Sequence, residues 1–202
     1  PDNGNPLWYM DEVDANDNPT GKRVTTSDYA SANYYYVNKS SLPKVYGGFN
    51  TSLSWKGFDL SAIFAYSIGG YIYNRDITMI LHNGSLEGRD WSTEILRRWT
   101  PENRYTDVPA LSTTSNNWNS ASTRFLQNNS YMRLKNLTLS YNLPKQLISK
   151  LALSSVQVFV QGDNLFTIHR NQGLDPEQGI TGITYYRYPA MRTISGGINL
   201  SF

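Results

Sequence analysis

Between positions 47 and 68 the chain alternates twice over. Phe49, Thr51, Leu53 and Trp55 interleave with Gly48, Asn50, Ser52 and Ser54, and Phe58, Leu60, Ala62, Phe64 and Tyr66 interleave with Asp59, Ser61, Ile63 and Ala65. Period two belongs to pleated strands, whose successive side chains point to opposite faces. Only Lys56 and Gly57 separate the runs, and Gly57 can take the positive φ that a tight hairpin turn requires. Such a turn pairs Trp55 with Phe58, Leu53 with Leu60, Thr51 with Ala62 and Phe49 with Phe64, so the mainly apolar positions share one face.

Three more strands follow by the same pattern. One runs from about Arg124 to Leu143, with Leu137, Leu139, Tyr141 and Leu143 against Asn136, Thr138, Ser140 and Asn142. Arg133 and Lys135 share the parity of these leucines, so either a bulge slips the phase or both cations sit at headgroup level. Positions 145–154 read as a short helical turn. Val156, Val158 and Val160 then begin a fourth strand, ended by Gly162, Asp163 and Asn164. In the fifth, Ile194, Ile198, Leu200 and Phe202 oppose Thr193, Ser195, Asn199 and Ser201. Its spacing of Ser195, Gly197, Leu200 and Phe202 resembles the terminal signal by which bacterial outer-membrane barrels are recognised for insertion.

Composition decides between ways of meeting a membrane. The chain contains no run near the ~20 apolar residues of a membrane-spanning helix, so any spanning is by strands. The mean hydropathy of -0.49 does not argue against this, because only every second residue of a barrel strand meets lipid. The hairpin strands approach the ~9 to 11 residues that cross an outer membrane obliquely. Trp55 and Phe58 at the turn, with Tyr141, and Tyr66 with Tyr71 and Tyr73 at the far end, are the expected aromatic girdles. A net charge of +2, with no basic stripe, speaks against a nucleic-acid partner.

The absence of cysteine removes thiol catalysis and zinc-thiolate sites. His82 and His169 are isolated and lack ligand spacing, and no serine lies in a nucleophile elbow, so no catalytic residue, metal site or cofactor is expected. Asp11, Asp14, Asn16, Asp17 and Asn18 form an acidic stretch, but Pro19 stands where a calcium loop needs glycine and Thr25 where it needs its closing acid. A solvated loop is the better reading. Between the second and third strands, 74–122 is long enough to be functional. Within it Asp90 or Ser92 can cap a helix carrying Trp91, Ile95, Leu96 and Trp99 on one stripe, ended by Pro101. Trp118, Tyr185 and Tyr186 are the candidate ligand or lid contacts, set against simple loop packing.

Several stretches together resemble one family. They are Leu42-Pro43-Lys44-Val45-Tyr46-Gly47-Gly48-Phe49 with Trp55-Lys56-Gly57-Phe58-Asp59-Leu60-Ser61, then Arg98-Trp99-Thr100-Pro101-Glu102-Asn103, Ser130-Tyr131-Met132-Arg133-Leu134-Lys135-Asn136-Leu137-Thr138-Leu139-Ser140-Tyr141, Gly162-Asp163-Asn164-Leu165-Phe166, Gly173-Leu174-Asp175-Pro176-Glu177, Tyr188-Pro189 and the terminal strand. In this order they resemble the late barrel of the SusC/RagA transporters of Bacteroidetes, over about the last 160 residues. The resemblance implies an all-β, antiparallel transmembrane β-barrel fragment: about five carboxyl-terminal strands, over 46–202, of a 22-stranded barrel with long extracellular loops. Positions 1–45 would be an extracellular loop segment, placing Pro1 outside the cell, and the plug domain would be absent.

The family also implies a role. The expected function is import of oligosaccharides or peptides across the bacterial outer membrane, with a SusD-like surface lipoprotein as partner. The TonB complex would act through the missing amino-terminal part, lipid would surround the strands, and the carboxyl terminus would be periplasmic. The competing expectation is a soluble all-β carbohydrate-binding module.

Overall fold

The computed structural model describes residues 3–202 apart from 83, 85–86, 113, 115–116, 150–152, 172, 178 and 180. The chain divides into two compact units, Pro1–Asn38 with Asn74–Leu126, and Lys39–Tyr73 with Gln127–Phe202.

The first unit opens with a hairpin that the sequence pattern did not announce, β1 (Trp8–Val13) and β2 (Pro19–Thr26). The acidic stretch is its turn. Asp14 Oδ1 accepts from the backbone N–H groups of Asn16 at 2.8 Å and Asn18 at 2.9 Å, and Asp17 takes a φ of 62°. Short side chains that bond their own backbone are suited to this place, which is why Asp and Asn concentrate there. Next to the hairpin, Tyr35 lies against Arg23, whose guanidinium is 4.0 Å from the ring centroid, and donates to Asp11 at 2.9 Å.

The remainder of this unit contains a six-residue helix, α1 (Arg75–Ile80), and a small core of Leu81, Ile95, Val108 and Trp118, with Ile77 against it. The helix expected over the Trp91 to Trp99 stretch is instead a 3₁₀ helix, Thr93–Arg97, capped by Ser92. Three residues per turn cannot hold a stripe spaced for 3.6. Ile95 is buried, whereas Leu96 and Trp91 are exposed.

In the second unit β3 (Val45–Trp55), β4 (Phe58–Ile68), β7 (Tyr131–Asn142), β8 (Ser155–His169) and β9 (Thr193–Ser201) form a five-stranded sheet in that order, antiparallel throughout. The hairpin register matches expectation, with Trp55 opposite Phe58 and Phe49 opposite Phe64. Tyr71–Tyr73 (β5) and Leu126–Asn128 (β6) make a separate short ladder. The third long strand therefore begins at Tyr131 and not near Arg124, which sits in a 3₁₀ turn. After β7, Lys145–Ile148 forms α2; of the predicted helical turn, 150–152 lie outside the described residues.

One bulge corrects two expectations. Against β4, Lys135 is the extra residue of β7, since Ile63 pairs with Asn136 and Phe64 with Leu134. Against β8, Leu134 pairs with Phe166 and Asn136 with Asp163, so Asn164 and Leu165 stand opposite Lys135. Asn164 absorbs the kink at a φ of 52°, a conformation that asparagine tolerates better than most residues. The fourth strand thus runs through 162–164 to His169 instead of ending there. The phase slip also turns Arg133 away from the leucine face, so the headgroup placement of both cations is replaced by the bulge.

Candidate functional site

The sheet has two unlike faces. Phe49, Leu53, Trp55, Phe58, Leu60, Leu139, Val158, Val160, Ile194, Ile198 and Leu200 share one, and all are exposed. The other carries Asn50, Ser52, Ser61, Thr138, Ser140, Gln157, Gln161, Ser195 and Asn199. An exposed apolar surface of this extent would aggregate in water, so it is a surface made to be covered.

Residues expected at the girdles fall at two levels. Trp55, Phe58 and Tyr141 form one row across β3, β4 and β7, and the Phe58 and Tyr141 rings lie 4.5 Å apart between centroids. Tyr66 stands at the far end of β4, opposite Gly47, where its ring lies across β3; a Cβ on Gly47 would come 3.0 Å from the phenol oxygen. Tyr71 and Tyr73 belong to β5 instead of the sheet.

On the last strand, Ser195 pairs with Gln161, Gly197 with Phe159 and Leu200 with Val156. Gly197 has a packing reason. The Phe159 ring lies across it, and a Cβ there would approach the ring to 2.8 Å. Phe202 is exposed.

The polar face carries a charge cluster that the sequence patterns left unassembled. Arg133 is 3% exposed and Asp175 7%. Arg133 donates Nε to Thr167 Oγ1 at 2.9 Å, Nη1 to Glu177 at 2.9 Å and Nη2 to Asp175. Lys135 Nζ reaches Glu177 at 2.5 Å. Asp175 also accepts from the N–H of Glu177 at 2.9 Å and of Ala190 at 2.7 Å. Burial raises the Asp175 carboxyl, but those two N–H groups and the guanidinium outweigh it and hold it below the usual carboxylate range. The signal was present in the sequence: a cation at leucine parity needs an acid partner once it turns inward.

These bonds clip the connection between β8 and β9 onto the polar face. Further ties come from Asn129, which donates to Pro176 O at 2.8 Å, and from Tyr73, whose N–H meets Gly182 O at 2.7 Å while its carbonyl takes the Thr184 N–H at 3.2 Å. Between the ties at Thr184 and Ala190 the chain projects. Tyr185 and Tyr186 are exposed there, with their rings edge to face at 6.4 Å.

Trp118, the third candidate contact, has a different setting. It is buried, gives its indole N–H to Leu81 O at 2.6 Å, and carries the Arg124 guanidinium 4.0 Å from the ring centroid. The structure places it in packing. His82 Nδ1 accepts from the Trp91 indole at 3.1 Å, and burial lowers the imidazole below its ordinary value. Among the described residues no cluster of His, Asp and Glu could hold a metal ion.

The chain is 34% identical over 166 residues to TonB-dependent receptor P3 of Formosa agariphila, which covers 77% of this chain and 16% of that relative. It is 30% identical over an alignment of 204 residues to TonB-dependent receptor SusC of Bacteroides thetaiotaomicron, covering 100% of this chain and 18% of that one. The solved RagAB peptide transporter matches with a TM-score of 0.81 at 35% identity, over 100% of this chain and 21% of that one. The chain belongs to the SusC/RagA family of TonB-dependent receptors. No protein-family model matches it. This SusC/RagA-family chain spans about a fifth of the length of the proteins it matches. The match with the RagAB transporter extends over residues 1–45 as well, beyond the stretch that the sequence motifs reach. TonB-dependent receptors are outer-membrane proteins, which accounts for a sheet with one exposed apolar face.

Proposed function

We propose that this chain supplies five consecutive strands to the 22-stranded wall of an outer-membrane importer that takes up oligosaccharides or peptides with a SusD-like surface lipoprotein. The one-sided sheet carries this reading: its apolar face meets lipid and its polar face lines the interior. Both edge strands, β3 and β9, present backbone groups unpaired within the sheet, and such edges call for neighbouring strands. The turn at Lys56 and Gly57, the connection from β7 to β8 and the end of β9 lie at one end of the sheet, and both long connections leave the other. Barrels of this kind have short periplasmic turns and long extracellular loops, so the carboxyl terminus is assigned to the periplasm. Trp55, Phe58 and Tyr141 then form the periplasmic girdle and Tyr66 part of the outer one. Ser195, Gly197, Leu200 and Phe202 act as the insertion signal, and TonB engages a part of the receptor that precedes these strands.

The RagAB structure is that of a peptide importer, which favours peptides among the two substrate classes. A soluble sugar-binding module is disfavoured by the exposed apolar face. The test is cysteine labelling of the full-length receptor in outer membranes. Leu53→Cys, Leu139→Cys and Val160→Cys should react with a lipid-phase maleimide, and Ser140→Cys and Gln161→Cys with a water-soluble one. Equal labelling of all five by the water-soluble reagent would overturn the assignment, as would recovery of this segment as a monodisperse soluble 22.9 kDa species.

A further inference from the structure

We propose that Tyr185, Tyr186, Arg187 and Tyr188 form a ligand ledge that receives a carboxylate beside a flat apolar group, with Arg133 as its positioning residue. The inference rests on the importer reading above, which makes the polar face the inside of the barrel.

Four observations carry it. First, the ledge has a fixed base: Thr184 is buried and bonded to Tyr73, and the Ala190 N–H is held by Asp175, itself clipped by Arg133. Second, three tyrosines project from that base, Tyr185 and Tyr186 about six-tenths exposed and Tyr188 98% exposed. Third, Tyr186 takes a φ of 40°. A bulky aromatic residue is strained in the left-handed region, and such strain concentrates where a side chain is aimed at a task. Fourth, Arg187, between Tyr186 and Tyr188 in the chain, is exposed and makes no ion pair among the described residues. Its guanidinium passes over Gly179, 3.4 Å from where a Cβ would stand.

The chemistry of such a ledge is specific. A guanidinium binds a carboxylate through two parallel hydrogen bonds, while phenol rings offer flat apolar faces with a polar tip. Two kinds of ligand combine these features, a peptide with a free carboxyl terminus and an oligosaccharide of uronic acids. A preformed base matters because ordering a loop on binding costs affinity. Arg133 therefore acts through Asp175 on the position of the ledge and touches no ligand.

The experiment uses the full-length receptor purified with its surface lipoprotein. Two probe pairs are titrated: a tyrosine-containing pentapeptide with a free carboxyl terminus and its amide, and trigalacturonate and its methyl ester. The acid form of one pair should bind ~10-fold tighter than its neutral partner, the worth of a good charge-assisted contact. Which pair shows this identifies the source of the carboxylate. Arg187→Gln should bring that ratio to about one, and Arg187→Lys should restore part of it. Arg133→Met should lower the ratio and weaken both forms, since ring positions are lost as well. An acid-to-neutral ratio near one in the native receptor, or one that survives Arg187→Gln, overturns the ledge. If the neutral probes still bind, only the ledge has failed; if no probe binds or is taken up, the importer reading fails with it.

Discussion

Arg133 donates to Asp175 across forty-two positions of sequence, and both side chains are buried. Removing one partner of such a pair leaves an uncompensated charge in a poorly solvated place, at a cost of about 3–5 kcal/mol. Arg133→Met should therefore destabilise the folded receptor by that order, read as a shift in its urea midpoint. Arg133→Met combined with Asp175→Asn should recover part of the loss. Equal midpoints for the single variant and the native protein would show that the clip carries no stability.

Acid should release the same clip only late. The Asp175 carboxyl is depressed when folded, so its contribution is complete above the ordinary carboxylate pKa of about 4 and disappears as pH falls through the lower, folded value. Limited proteolysis after Arg187 or Arg192 in the folded receptor should stay constant from neutral pH to about 4 and rise only below it. Onset of cleavage between pH 5 and 7 would contradict this.

Leu139 and Thr138 are neighbours on opposite faces of β7. Leu139→Arg should cost about 2–4 kcal/mol if that face meets the hydrocarbon core, whereas Thr138→Arg on the polar face should cost far less. Comparing the unfolding midpoints of the two variants in lipid or detergent decides it. Similar costs would remove the distinction between the faces.

Trp118 packs in the first unit with Leu81, Ile95 and Val108. Trp118→Ala should cost about 3–5 kcal/mol through the cavity it leaves. Trp118→Phe should cost less, with about 1 kcal/mol of it from the indole hydrogen bond to Leu81. If Trp118→Ala instead abolished ligand binding with no loss of stability, the packing role would be wrong.

Local rules made much of the wall legible. The hairpin register follows from a two-residue turn and period-two alternation, both readable between positions 47 and 68. The bulge was not decidable in that way. The parity of Arg133 shows that something breaks, but the choice depends on β4 and β8, which supply the partners, and on Asp175, which supplies the counter-charge. The stretch around Trp91, Ile95 and Leu96 has helical spacing, yet of these three only Ile95 is buried and the segment winds as a 3₁₀ turn. The hairpin of β1 and β2 is not legible locally, because Asp14, Asn16 and Asn18 mark a polar loop without showing that the strands on either side of it pair.

By itself, then, the sequence determined that five long strands exist, their alternation and the family, because side-chain direction along a regular strand follows from position. Tertiary structure decided which face Arg133 joins, that Trp118 is buried, and that Tyr185 and Tyr186 stand exposed on a clipped base. Each of those outcomes depends on a partner far away in sequence, and no local pattern encodes it.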